Sequence, residues 1–159
     1  MGKRLGALGA LGAVIAVVAL AVGIALPAAG STGHAAQDQT IRVTAVVTEL
    51  KLLDLGGPGF SLGNEIVFSE KLLQGANQLG HAGAVCTEVS VARQEAQCIA
   101  TYSFAGGQIT GQALIILNST APYDGSITGG TGKYEGAKGE LHVQTVSPTE
   151  GILTFHLEH

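Results

Sequence analysis

The fold of this chain is decided by the stretch EAQCIATYSFAGGQIT at residues 95–110. β-branched and aromatic residues recur in both of its halves, and Gly106-Gly107 separates the halves. Such residues favour extended strands, and a glycine pair between them marks a turn. The stretch therefore predicts one strand up to about residue 105, a tight turn, and a second strand up to about residue 118.

The same pattern recurs along the chain beyond residue 36. Short runs of β-branched and apolar residues are separated by Gly, Asn, Pro and Asp, whereas helical periodicity is hard to find. The predicted strands cover residues 40–54, 65–73, 84–91, 96–105, 108–118, 126–128, 140–146 and 151–158. Eight antiparallel strands on short connections predict an all-β fold, an eight-stranded antiparallel β-barrel, because closure leaves no exposed sheet edge.

The first 36 residues have a different composition. Two basic residues precede an uncharged apolar run that ends at Pro27, and small residues follow. This pattern is typical of a signal peptide, cleaved after Gly30 or near Ala35 or Ala36. The run is also long enough to span a bilayer, so a retained anchor is the alternative. We expect residues 1–36 to be a signal peptide with a short linker, residues 37–159 to be the barrel domain, and the domain to be secreted or otherwise extracytoplasmic.

Charge and hydropathy narrow the partners of the barrel domain. All 12 acidic residues lie beyond the leader, which takes two of the 8 basic residues with it. A net acidic domain without a basic patch argues against nucleic-acid binding. The chain's mean hydropathy of +0.36 comes largely from the leader. We therefore expect no membrane association after signal cleavage.

The two cysteines lie on neighbouring predicted strands. Cys86 and Cys98 are equidistant from Ala92, so a hairpin centred there places them directly opposite each other. Directly opposed residues have Cβ atoms about 4.5–5.5 Å apart, which is near the separation that a disulfide needs. We expect one disulfide in an exported protein. Zinc binding is a poor alternative, because two thiols without a nearby His pair do not complete a zinc site. A free reactive thiol is the remaining alternative.

Five segments, in order, resemble the allene oxide cyclase family and the wider barrel superfamily that it shares with plant dirigent proteins. They are SLGNEIVFSEKL (61–72), LGHAGAVC (79–86), EAQCIATYSFAGGQIT (95–110), SITGGTGKYEGAKGELHVQ (126–144) and LTFHLE (153–158). The resemblance implies an eight-stranded antiparallel barrel with a largely apolar cavity, in a homo-oligomer that is a trimer or a dimer. It implies neither a metal nor an organic cofactor.

The resemblance also implies a function. Plant allene oxide cyclases fold an unstable fatty-acid epoxide and close a ring, and dirigent proteins steer the coupling or ring closure of phenolics. In both groups a shaped apolar pocket restricts the conformers of a reactive substrate. We expect a cofactor-free isomerase or cyclase, or a dirigent-like guide, for a small hydrophobic molecule. The alternatives are a non-catalytic carrier of lipophilic molecules and a structural barrel with a filled interior.

Glu49 is the candidate catalytic residue. The resemblance matches it to a family Glu on the first strand, although Lys51 and Glu70 stand where the family has asparagines. Alternation places Glu49 on the same face as Ile41 and Val47. If that face lines the cavity, Glu49 is a partly buried carboxylate suited to acid–base work. The alternative is a hydrated carboxylate where the strand frays into solvent.

The candidate ligand-binding residues are aromatic. Tyr102 and Phe104 share a face of the fourth strand, and Phe68 lies on the second. They line a cavity or, more commonly for such aromatics, form plain core. His142 and His156 lie on the last two strands, but two His residues without a third ligand do not make a metal site, so we assign none.

Overall fold

The computed structural model describes residues 38–158. The predicted leader at residues 1–36 lies outside the described residues. Within this part of the chain, no helix is long and apolar enough to cross a membrane.

Eight strands form a closed antiparallel barrel in which each strand pairs with the next and the last pairs with the first. The strands are β1 (Gln39–Leu53), β2 (Glu65–Gln74), β3 (Asn77–Ser90), β4 (Glu95–Phe104), β5 (Gly107–Ile116), β6 (Tyr123–Gly130), β7 (Lys138–Ser147) and β8 (Glu150–Glu158). A short 3-10 helix, Gly132–Tyr134, connects β6 to β7. The predicted fold class is confirmed.

Strand β3 begins at Asn77, well before the predicted start at residue 84. Three of the seven residues at positions 77–83 are glycine or alanine, and neither favours strands. Gly80 is nonetheless required there, because a Cβ at this position would overlap the carbonyl oxygen of Ser103 on β4. The glycine permits close backbone approach and does not mark a turn.

A β-bulge in β1 changes which side chains face inward. Val43 and Ala45 are buried in the core, and Val47 lines the interior. The register with β2 then shifts between Val47 and Glu49, so Thr48 is the extra residue. An extra residue reverses the alternation of the strand beyond it. Leu50, instead of Glu49, therefore continues the inward face.

One end of the barrel is filled with side chains. Tyr134 is only 2% exposed, and its ring meets Phe104 edge to face at 5.9 Å between centroids. Phe104 also contacts Phe155 at 5.8 Å. The β6–β7 connection approaches the β4–β5 turn so closely that a Cβ on Gly107 would overlap the carbonyl oxygen of Thr131. The glycine-rich segment therefore helps to close this end, with Tyr134 as its plug.

The predicted disulfide is confirmed. Cys86 on β3 and Cys98 on β4 are directly opposed in the strand register, and their sulfur atoms are bonded. Both residues face the barrel interior. A structural disulfide is compatible with an extracytoplasmic protein, because oxidising compartments preserve such bonds.

Candidate functional site: the barrel cavity

The barrel interior contains a cavity of about 250 Å³. All eight strands contribute to its wall, and most of the lining side chains are aliphatic or aromatic. Pro148 and Thr149, from the β7–β8 turn, also line it. The cavity therefore lies toward the end of the barrel opposite Tyr134, where the β1–β2, β3–β4, β5–β6 and β7–β8 connections meet.

Two of the three predicted aromatic residues line this cavity. They are Tyr102 on β4 and Phe68 on β2. Phe104 instead packs in the closed end, where Tyr134 and Phe155 surround it. It lies one inward position beyond Tyr102 along β4, which places it below the cavity floor.

Glu49 does not line the cavity. The bulge at Thr48 turns its side chain to the outer surface, where it is exposed. Its carboxylate accepts a hydrogen bond of 3.4 Å from the hydroxyl of Ser69, another outward residue. This placement corrects the expectation that Glu49 shares a face with Ile41 and Val47.

The carboxyl group inside the cavity belongs to Glu70. Glu70 pairs with Val47 on one side and with Ala82 on the other, and Ala82 pairs with Tyr102. Paired residues point to the same side of a sheet, so Glu70 and Tyr102 lie in one inward-facing row. Burial raises the pKa of Glu70 to about 7 and is the sole cause of the shift. Both protonation states are therefore populated near neutral pH.

Two tyrosines share the cavity with this carboxyl group. The pKa values of Tyr102 and Tyr123 are raised, first by burial and then by the negative charge of Glu70. The electrostatic effect means that both hydroxyl groups lie within reach of the Glu70 charge. Both phenols therefore stay protonated at neutral pH and can donate hydrogen bonds to a bound molecule.

The sequence does carry a signal for Glu70. Ile66, Phe68 and Leu72 alternate along β2, and all three face inward. Glu70 occupies the same parity, so the strand pattern alone places a carboxyl group in the apolar face. The family resemblance points to Glu49 for the polar role, whereas Glu70 replaces a family asparagine.

This arrangement suits proton transfer. A carboxyl group whose pKa lies near the ambient pH can both accept and release a proton, which is the requirement for general acid–base catalysis. The apolar walls strengthen its interactions with polar groups of a bound molecule, since they lower the local dielectric constant.

Comparison with known proteins places the chain in a family. Residues 43–156 match the allene oxide cyclase barrel-like domain. The chain belongs to the allene oxide cyclase barrel-like family. Among curated proteins, none matches the sequence significantly.

Several solved structures share the barrel of this allene oxide cyclase-like chain. A pyocyanin demethylase superposes with a TM-score of 0.68 at 29% identity, over 76% of this chain and 100% of that one. A pterocarpan synthase dirigent protein superposes with a TM-score of 0.60 at 18% identity, over 76% of this chain and 86% of that one. An exo-specific intermolecular Diels-Alderase superposes with a TM-score of 0.59 at 12% identity, over 76% of this chain and 98% of that one. The last two likenesses show the fold alone.

The buried carboxyl group should make the stability of this allene oxide cyclase-like barrel depend on pH. The pKa of Glu70 rises from 4.5 in the unfolded chain to about 7 in the folded one. Between these values the folded state binds more protons, so its free energy of unfolding falls as pH rises. The expected loss from pH 4.5 to pH 8 is about 3 kcal/mol. Urea unfolding at both pH values measures it.

The matched controls are Glu70→Gln and Glu49→Gln. A glutamine side chain does not titrate, so the first variant should lose this part of the pH dependence and gain stability over the wild type at pH 8. Glu49→Gln changes an exposed carboxylate on the neighbouring strand and should behave as the wild type does. If the free energy of unfolding changed equally with pH in all three proteins, the burial of Glu70 would be contradicted.

Proposed function

We propose that the barrel binds a small hydrophobic molecule in its cavity and guides that molecule through an intramolecular isomerisation or ring closure. Glu70 is the proposed catalytic residue. The observation that carries the proposal is the Glu70 carboxyl group, with its pKa raised to about 7, set among apolar walls and two tyrosines. A filled structural barrel would need neither the cavity nor the carboxyl group.

The proposed step is a proton shift that needs only the chain's own groups. The Glu70 carboxylate takes a proton from one atom of the substrate, and the electron pair of the broken bond stays in the substrate. The electrons rearrange into a new bond, and the Glu70 carboxyl group returns the proton at another atom. The product has the composition of the substrate, so no oxidant or reductant is consumed.

The cavity walls would contribute by restricting conformers. Holding a flexible molecule in a near-attack geometry removes much of the entropic barrier to ring closure. The hydroxyl groups of Tyr102 and Tyr123 would donate hydrogen bonds to a substrate oxygen as negative charge develops there. The family membership supports a role of this kind, and the dirigent and Diels-Alderase structures share the fold.

We also propose that this chemistry takes place outside the cytoplasm. The Cys86–Cys98 disulfide is compatible with that location. The apolar segment before Pro27 has the composition of an export signal. N-terminal sequencing of the protein from culture fluid would show whether the segment is removed.

Blocking the cavity tests the proposal. Ala100 on β4 lines the cavity, whereas Ile99 beside it faces outward and is 60% exposed. Ala100→Trp should fill the interior and abolish co-purification of a small molecule, because the added ring takes the ligand's place. Ile99→Trp should leave co-purification unchanged. Mass spectrometry of solvent extracts from the purified proteins measures the difference.

A second cavity-filling variant keeps the test valid if Ala100→Trp fails to fold. Ala113 on β5 also lines the cavity, so Ala113→Phe narrows it from another strand. Circular dichroism should show that each variant keeps its strand content. If folded variants at both positions retained the same bound compound as the wild type, the proposed ligand site would be wrong.

A further inference from the structure

The cavity carries negative charge without a positive partner. Glu70 faces the interior, and Glu150 is exposed at its rim. Among the described residues that line the cavity, none is Lys, Arg or His. Burial alone raises the pKa of Glu70. No cationic side chain therefore holds this carboxylate in its charged form.

Buried charges in proteins are ordinarily paired, because an unpaired ion in a low-dielectric site is costly. Here the space beside Glu70 is the cavity, so a partner for its charge would have to come from the bound molecule. The aromatic rings of Tyr102 and Tyr123 line the same cavity. Tyrosine faces attract organic cations, and their attraction adds to that of a carboxylate.

The cavity volume limits the size of that molecule. At about 250 Å³ it falls just below the usual range for ligand pockets. The walls are aliphatic and aromatic apart from a few polar groups, so most of the ligand must be apolar. A compact ring system with one basic or permanently cationic nitrogen satisfies both conditions.

We infer that the substrate class of this cavity is a small, largely apolar organic cation, whose positive nitrogen pairs with the Glu70 carboxylate beside Tyr102 and Tyr123. This inference rests on the proposed function and adds the charge of the substrate to it. It also assigns Glu70 a role in selecting the ligand. Neutral ring systems of the same shape would bind through the walls alone.

Two tricyclic fluorescent probes of similar shape test the inference on the full-length chain. One is 9-aminoacridine, which is cationic from pH 5 to pH 9, and the other is neutral 9-anthracenemethanol. At pH 9 the cation should bind about tenfold more tightly than the neutral probe. At pH 5, where Glu70 is protonated, the preference should disappear. Among the described residues that line the cavity, the other titratable groups are Tyr102, Tyr123 and the rim residue Glu150.

Two glutamine variants assign the preference to one residue. Glu70→Gln should lose the tenfold preference at pH 9 and bind the two probes with similar affinity. Glu49→Gln, with the same substitution on the outer wall, should keep the preference. Ala100→Trp should bind neither probe, which shows that binding takes place in the cavity.

The outcomes separate this inference from the proposed function. If the neutral probe bound the wild type as tightly as the cation at pH 9, the cationic substrate class would be wrong and the ligand cavity would stand. If the cation preference survived in Glu70→Gln, the assignment to Glu70 would be wrong. If neither probe bound, or Ala100→Trp bound both normally, the cavity itself would fail as a binding site.

Discussion

Glu70→Gln should lower the turnover of the proposed isomerisation by roughly 10²–10⁴-fold, the usual contribution of a general acid–base group. Glutamine preserves the size and much of the polarity of the side chain but cannot accept and return a proton. The cavity should remain, because nothing else in its wall changes. The rate should rise with pH through about 7 in the wild type, where the carboxylate forms, and this dependence should be absent from the variant.

This prediction can be tested before the substrate is known. An isomerase releases a product with the mass of its substrate, so the two differ in chromatographic retention and not in mass. The wild type should co-purify with the product, whereas Glu70→Gln should retain the unreacted isomer. Chromatography with mass detection of both extracts shows the difference. Addition of wild-type protein to the retained isomer should then convert it.

A carrier gives a different result. It would hold the same compound with the same retention in the wild type, in Glu70→Gln and in Glu49→Gln. That outcome would remove the catalytic role from Glu70 and leave the cavity as a transport site. The Glu49→Gln variant serves as the control because its carboxylate lies on the outer surface of the adjacent strand.

Most of the fold could be predicted from the sequence, because alternation and turn residues are local signals. The start of β3 is not predictable from strand propensity, because Gly80 is required there by its contact with Ser103 on β4. The disulfide was predictable because hairpin symmetry fixes which residues are opposed. That symmetry held although the β3–β4 pairing shifts register near Ser90.

The site was predicted less well than the fold, because one β-bulge in β1 changes which residues face inward. The inward apolar residues of β1 occupy odd positions from Ile41 to Val47, and Leu50 continues the inward face at an even position. That change of parity marks the bulge at Thr48, and it reverses the direction of Glu49. No comparable change occurs between Ile66 and Leu72, so the alternation there places Glu70 inside.

The separation of a filled end from an open end explains how one small barrel can be both stable and hollow. Leu72, Ile109, Phe155 and Leu157 are the largest fully buried side chains. The cavity begins beside them, because Glu70 is one inward position from Leu72 along β2 and Tyr102 pairs with Ile109. The cost of a buried carboxyl group and an unfilled interior is thus confined to one half of the barrel, while the other half supplies a packed core.

Phe155→Ala should lower the free energy of unfolding by about 3–5 kcal/mol, the usual cost of truncating a buried Phe. Phe155 is 0% exposed, and its ring meets Tyr102 edge to face at 4.8 Å between centroids. The truncation therefore leaves a cavity in the closed end and removes the support beneath Tyr102. Urea unfolding at one fixed pH measures the loss.

Two controls separate the packing of Phe155 from a general sensitivity of the barrel. Phe155→Leu should cost less, because it keeps most of the apolar volume. Ile99→Ala, on the exposed outer face, should cost well under the Phe155→Ala value, since little buried surface is removed. A Phe155→Ala loss no larger than that of Ile99→Ala would mean that the closed end does not carry the stability of the barrel. In that case the floor of the cavity, and the orientation of Tyr102 with it, would depend on the strand pairing alone.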